Sequence, residues 1–199
     1  MNAENTLIRQ MARESLQGKW GLAIGTNVLY ILAAIAIQAV PKIGTFISLI
    51  ISGPLALGLT IFSLSISRNQ DAKTEQLFQG FNKFGTAAGA YLLTILFSLL
   101  WGLLLIVPGI IAAISYSMTF YILADDDSIS AMDAIDKSKK MMDGYKWKYF
   151  RLILVFFGLA LLCILTLGIG FLWLLPYIQV SNAKFYDDLK GNFASAETV

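Results

Sequence analysis

The stretch DDDSISAMDAIDKSKKMMDGYKWKYFR, Asp125 to Arg151, decides the fold, because it is the one long charged run lying between two long uncharged ones. Five acids precede Lys137, and six of the seven charges from Lys137 onward are basic. Ser130 is placed to cap a helix, with Asp133 three residues on and Gly144 as a left-handed stop. Helical spacing gathers Ala131, Met132, Ala134, Ile135, Ser138, Met141 and Met142 on one half, with Asp133, Asp136, Lys137, Lys140 and Asp143 opposite. Lys139 alone intrudes on the apolar half. The following YKWKYFR alternates bases with aromatics, as a segment sitting among anionic headgroups requires, and each Lys or Arg there adds about 1 kcal/mol of attraction. The reading is a short cytoplasmic amphipathic helix that ends in a membrane anchor.

Working outward, runs free of Asp, Glu, Lys and Arg extend over Trp20 to Pro41, Ile43 to Ser67, Phe84 to Ala124 and Leu152 to Ala183. A spanning helix needs about 20 apolar residues, so the first two runs hold one span each and the last two a hairpin each. The chain is 57% apolar and only 14% charged, against about 25% charged in a soluble domain. A water-soluble core would need nearly every helix to be apolar on all faces. The predicted fold is therefore all-α: a polytopic membrane bundle of six transmembrane helices as three hairpins, with short amphipathic cytoplasmic helices. It forms one domain over 1–199, with a cytoplasmic amphipathic segment at 1–19, a connector at 125–151 and a tail at 184–199. The lone cysteine, Cys163, falls inside a span and allows no intramolecular disulfide. The first 20 residues carry both charge signs and lack a signal-peptide core, so the first span is expected to be retained.

In chain order, Thr6 to Gln17 predicts a helix in the headgroup layer with Leu7, Ile8, Met11 and Ala12 on one side. Gly21 to Val40 crosses, Pro41-Lys42 turns, and Ile43 to Ser67 returns with a bend at Gly53-Pro54. Arg68 to Lys83 reads as a polar loop whose LFQGFNKF end lies in the interface. Gly85 to Val107 crosses, Pro108-Gly109 makes a tight turn and Ile110 to Ala124 goes back. Leu152 to Leu167 crosses, Gly168-Ile169-Gly170 turns, and Phe171 to Ala183 returns. Thirteen residues reach only about 20 Å, so that last helix must continue through Tyr186 or the hairpin is re-entrant. Of the 15 Lys and Arg, all but Lys42 fall on one side of this map, which puts both termini in the cytoplasm. A shift of 61 positions lays Gly109 on Gly170, Tyr116 on Tyr177 and Asp126-Asp127 on Asp187-Asp188, the mark of a duplicated hairpin.

There is no histidine, and no Asp, Glu, Lys or Arg lies within a predicted span. Proton relays and ion pathways normally carry such intramembrane groups, and a hydrolase is left short of a general base. The acid clusters Asp125 to Asp127 and Asp187-Asp188 are read as helix ends turning into water, with no metal and no cofactor expected. The aromatic-basic run is read as a membrane anchor and not a nucleic-acid site. The primary expectation is a non-enzymatic protein of the inner membrane that binds anionic lipid headgroups or a membrane-protein partner, itself included. Its candidate surface is Met132, Ile135, Met142, Lys146, Trp147, Lys148 and Arg151. The alternative is a small transporter or channel whose cavity is lined by Asn27, Gln38, Ser52, Ser115, Tyr116, Tyr177 and Gln179.

The run ISAMDAIDKSKKMMDGYKWKYFRL, then LTLGIGFLWLLPYIQVSNAKFYDDL, with IVPGI and LFQGF upstream, resembles the bacterial integral-membrane family catalogued as domain of unknown function 975. The likeness covers about Leu16 to Leu189. It implies a helical protein of the bacterial cytoplasmic membrane with no assigned activity. One departure is LVFFGLALL, Leu154 to Leu162, where the resemblance leads one to expect a serine and a tryptophan.

Overall fold

The computed structural model describes residues 4–39 and 44–197, and every regular element in them is helical. In chain order these are α1 (Asn5–Leu16), α2 (Trp20–Gln38), α3 (Gly44–Ser67), a 3₁₀ helix η1 (Thr74–Lys83), α4 (Phe84–Leu104), α5 (Ile106–Ser115), α6 (Thr119–Asp125), α7 (Ala131–Met141), α8 (Lys146–Leu165) and α9 (Phe171–Glu197). The Pro41-Lys42 turn lies outside the described residues. Five stretches are long and apolar enough to cross a membrane: Trp20–Gln38, Ile47–Ser67, Thr74–Leu104, Ile106–Asp125 and Lys146–Leu165. The helix α9 is not among them, since its second half carries Lys184, Asp187, Asp188 and Lys190.

Ring pairs give the packing directions. Phe97 meets Tyr116 at 6.2 Å and Tyr91 meets Phe120 at 6.4 Å, so α4 runs antiparallel to α5 and α6. In the same way Phe156 meets Tyr177 at 5.6 Å and Tyr149 meets Phe185 at 5.0 Å, which sets α8 antiparallel to α9. The first reversal is not at Pro108-Gly109. It is made by the extended residue Leu105, and Pro108 is the third residue of α5, where no intrahelical amide bond is needed. Gly109 instead lets α5 close on α4: a Cβ there would sit 2.7 Å from the Gly102 Cα. Gly170 lies the same seven residues beyond Cys163, but a Cβ there would meet the Cys163 side chain, with Sγ at 2.6 Å, and not backbone.

The second reversal is Thr166 to Gly170, with Gly168 at φ 85. Beyond it α9 runs unbroken past Tyr186, so the predicted tail from 184 is helical as far as Glu197. The returning half of the other pair is interrupted between Ser115 and Thr119. The break is served by α7, whose fully buried Ser138 donates its hydroxyl to the Ser115 carbonyl at 2.8 Å and accepts from the Met118 amide at 3.1 Å. Backbone groups freed inside a packed bundle need such partners.

Two segments sit deeper than composition suggests. Residues 74–83, read as loop, form η1, with Leu77 fully buried. A Cβ on Gly80 would strike the Pro54 carbonyl, and one on Gly58 the Leu77 carbonyl, so backbone packs directly on backbone where η1 meets α3. The helix α1 likewise buries Ile8, Ala12 and Leu16 completely. It is therefore part of the bundle and does more than lie along a headgroup layer. At the two reversals the polarity is opposite: Leu103 to Val107, Leu165 and Leu167 are among the most exposed apolar side chains, with Leu167 94% exposed. Apolar surface on this scale is what a lipid-facing tip presents.

Candidate functional site

Asp125 at the end of α6 and Asp187 within α9 converge on one arginine. Arg68, just past α3, donates to both carboxylate oxygens of Asp125 at 2.7 and 2.9 Å. The same guanidinium reaches Asp187 on α9 at 2.8 and 3.1 Å. Lys190 donates to Asp125 at 2.6 Å, Tyr186 to Asp125 at 3.1 Å and Ser67 to Asp187 at 3.2 Å. The hydrogen bonds that Arg68 donates to Asp125, and after them those to Asp187, hold its pKa above the ordinary value against the desolvation that opposes them. Nearby, Lys83 pairs with Asp127 while donating to the Leu123 and Asp126 carbonyls, and Lys148 meets Asp188 at 2.8 Å with side-chain exposures of only 12% and 8%.

This corrects the reading of the two acid clusters as helix ends dissolved in water. Asp125, Asp187 and Asp188 instead tie α6 and α9 to α3 and α8. A bidentate guanidinium suits that role because its fork is planar and always charged. Among the described residues no group of His, Cys, Asp or Glu is arranged to hold a metal ion.

A second feature is a cavity of about 370 Å³ between α1, α2, α8 and α9. Leu159, Leu162, Cys163 and Leu174 form its apolar wall, Trp20 and Trp173 flank it, and Arg13 closes one end. Tyr177 holds that end together: its hydroxyl donates to the Arg9 carbonyl at 3.3 Å, and the Arg13 guanidinium carbon lies 5.9 Å from its ring centre. An apolar groove with a single cation at its end suits an amphipathic ligand.

The residues proposed for a solute cavity are not gathered around one space. Tyr177 lines the groove just described. Asn27 and Gln179 satisfy each other through bonds of 2.8 and 3.2 Å. Gln38 reaches Ser48 at 3.5 Å, Ser52 bonds the Ser48 carbonyl at 2.6 Å and Ser115 bonds the Ile111 carbonyl at 2.8 Å. Tyr116 is buried against Phe97.

The proposed partner surface divides as well. Ile135 and Met142 are core residues, turned into the bundle, and drop out as surface. Met132, Trp147 and Arg151 are exposed, Lys146 is partly so, and Lys148 is engaged with Asp188. The signal that sequence reasoning passed over was a solitary Arg68 at the end of one span, with acids at the ends of two others.

The sequence model of the family described as "Protein of unknown function (DUF975)" matches residues 1–115 and again 93–192. The chain belongs to the DUF975 family. No curated protein and no solved structure matches it. The two DUF975 matches overlap at 93–115, which spans the second half of α4, the Leu105 reversal and α5. The Arg68 cluster of this DUF975 chain draws Arg68 from the first match and Asp125 and Asp187 from the second.

Proposed function

We propose that this DUF975 chain is a multi-pass protein of the bacterial cytoplasmic membrane that binds lipid without transforming it, in support of the envelope or of another membrane complex. It crosses six times as three hairpins, with α9 as the sixth crossing and both termini in the cytoplasm. The Arg68 cluster then braces the cytoplasmic end, and the exposed leucines at the reversals meet the outer leaflet and interface. Such a position is consistent with the charge bias of the loops.

The observation that carries the lipid reading is the groove bounded by Leu159, Leu162 and Leu174, closed by Arg13 and flanked by Trp20 and Trp173. Apolar walls with few polar groups are the usual form of a small-molecule site, and tryptophans favour the boundary between hydrocarbon and headgroup. Transport is carried less far, because the polar groups expected to line a path bond one another or their own helices.

Native mass spectrometry of the detergent-purified protein tests this reading. The wild type should retain lipid through a wash that strips bulk detergent-solubilised lipid. Leu159→Trp/Leu162→Trp, which fills the groove, should retain none while keeping its helical circular dichroism. Equal retention by both proteins, or none by either, would reject the reading.

A further inference from the structure

The apolar groove has a continuation. A second cavity, of about 400 Å³, opens between the start of α1 and the start of α8, where Asn5, Arg9, Lys148, Arg151 and Val155 are among its walls. Along α8 and its cap, the lining residues of this cavity, 148, 151 and 155, and those of the groove, 159, 162 and the capping 166, follow one another at spacings of three and four. They therefore form one stripe along one helix face. On α1, Arg9 lines the second cavity and Arg13 the groove, one turn apart on the same side. The two cavities are end to end along the seam between α1 and α8.

The ends of the seam differ in chemistry. Arg9 and Arg151 make no ion pair among the described residues, and the Arg9 Nε is buried with no hydrogen-bond partner. Among the described residues the Arg9 guanidinium has no ion pair, which leaves its charge available to a ligand. Lys148 is already committed to Asp188, and Asn5 donates to the Lys148 carbonyl at 2.8 Å, which pins α1 to α8 at the floor. Glu4 at the rim is the one acid in the lining, against three bases. From Val155 to Thr166 the stripe is apolar until its last residue and about 16 Å long at ~1.5 Å per residue, close to one leaflet's half of a ~30 Å hydrocarbon core.

We infer that the seam is a site for one anionic glycerophospholipid, its phosphodiester held by Arg9 and Arg151 and its acyl chains lying past Arg13 along Leu159, Leu162 and Leu174. This rests on the lipid reading above and adds the choice of headgroup. A phosphodiester complements two guanidiniums that have no ion-pair partner among the described residues, through short charge-assisted hydrogen bonds. A zwitterionic lipid would bring a second cation to the same place.

The test offers the purified protein equal amounts of phosphatidylglycerol and phosphatidylcholine and reads bound lipid by native mass spectrometry. The wild type should retain phosphatidylglycerol over phosphatidylcholine by about thirtyfold, as two cations facing one anion imply. Arg9→Gln/Arg151→Gln should still retain lipid, with that ratio falling to near one. Arg151→Gln alone, on an exposed side chain, should lower it part of the way and serves if the double variant folds poorly. Lys137→Gln/Lys140→Gln, exposed on α7 away from the seam, should leave the ratio unchanged. A wild type that keeps both lipids equally, arginine variants that keep the preference, or an equal loss in the α7 variant would each overturn the inference while the lipid reading stands. Failure of the wild type to retain any lipid would remove both.

Discussion

Arg68 and Asp125, 57 residues apart in the chain, face each other as a two-pronged pair at 2.7 and 2.9 Å, and the same guanidinium also holds Asp187. One side chain thus fastens the ends of α3 and α6 to the body of α9. Removing it leaves Asp125 with Lys190 as its cation and Asp187 with the Ser67 hydroxyl alone among the ties described here. For a fully buried pair that costs about 3–5 kcal/mol, and the 30% exposure of the Arg68 side chain reduces it. Arg68→Ala should cost on the order of 2 kcal/mol, lowering the thermal midpoint in detergent by about 4–8 °C. Arg68→Lys should recover less than half, because an ammonium cannot bridge two carboxylates with a planar fork. Scanning fluorimetry reads both; an alanine variant as stable as the wild type would deny the cluster its bracing role.

At Gly58 and Gly80 the contact between η1 and α3 admits no side chain. Gly80→Leu should drive a Cβ into the Pro54 carbonyl, a backbone atom that cannot rotate away. Overpacking of side chains costs about 1–3 kcal/mol, and against backbone the loss should reach or exceed the top of that range. Gly85→Ala, where nothing lies within 4 Å, should be neutral or stabilising by up to about 1 kcal/mol. The folded yield on size-exclusion chromatography separates the two, and comparable yields would show that η1 is not seated on α3.

Much of the architecture was legible. Charge-free runs mark where α2, α3, α4 and α8 lie because solvation of charge in hydrocarbon is so costly, and the Ser130 hydroxyl caps α7 as its spacing implies, accepting from the Asp133 amide at 3.2 Å. The break at Tyr116 to Met118 was not legible, since what sustains it is Ser138 from a helix 20 residues on. The same holds for η1, whose glycines have meaning only once Pro54 and Gly58 are beside them. Polar residues within apolar runs were visible as exceptions. Which of them meet was not, because Asn27 and Gln179 are 152 residues apart.

That pair gives a test of its own. Each amide is satisfied by the other, and Asn27 also donates to the Ala23 carbonyl at 2.9 Å, so the pair serves as glue between α2 and α9. A double-mutant cycle of Asn27→Ala and Gln179→Ala should return a coupling of about 0.6 kcal/mol. Proteoliposomes of either variant should show no change in solute flux; a marked change would place a path between these helices.

The account rests most heavily on a membrane separating the charged end of the bundle from its apolar reversals. In a Cys163→Ser background, Ile169→Cys at the α8–α9 reversal and Ser128→Cys before α7 can be probed in intact cells with a membrane-impermeant maleimide. The account predicts that Ile169→Cys is labelled from outside and that Ser128→Cys is labelled only after the membrane is opened. Labelling of both positions from the same side would contradict it.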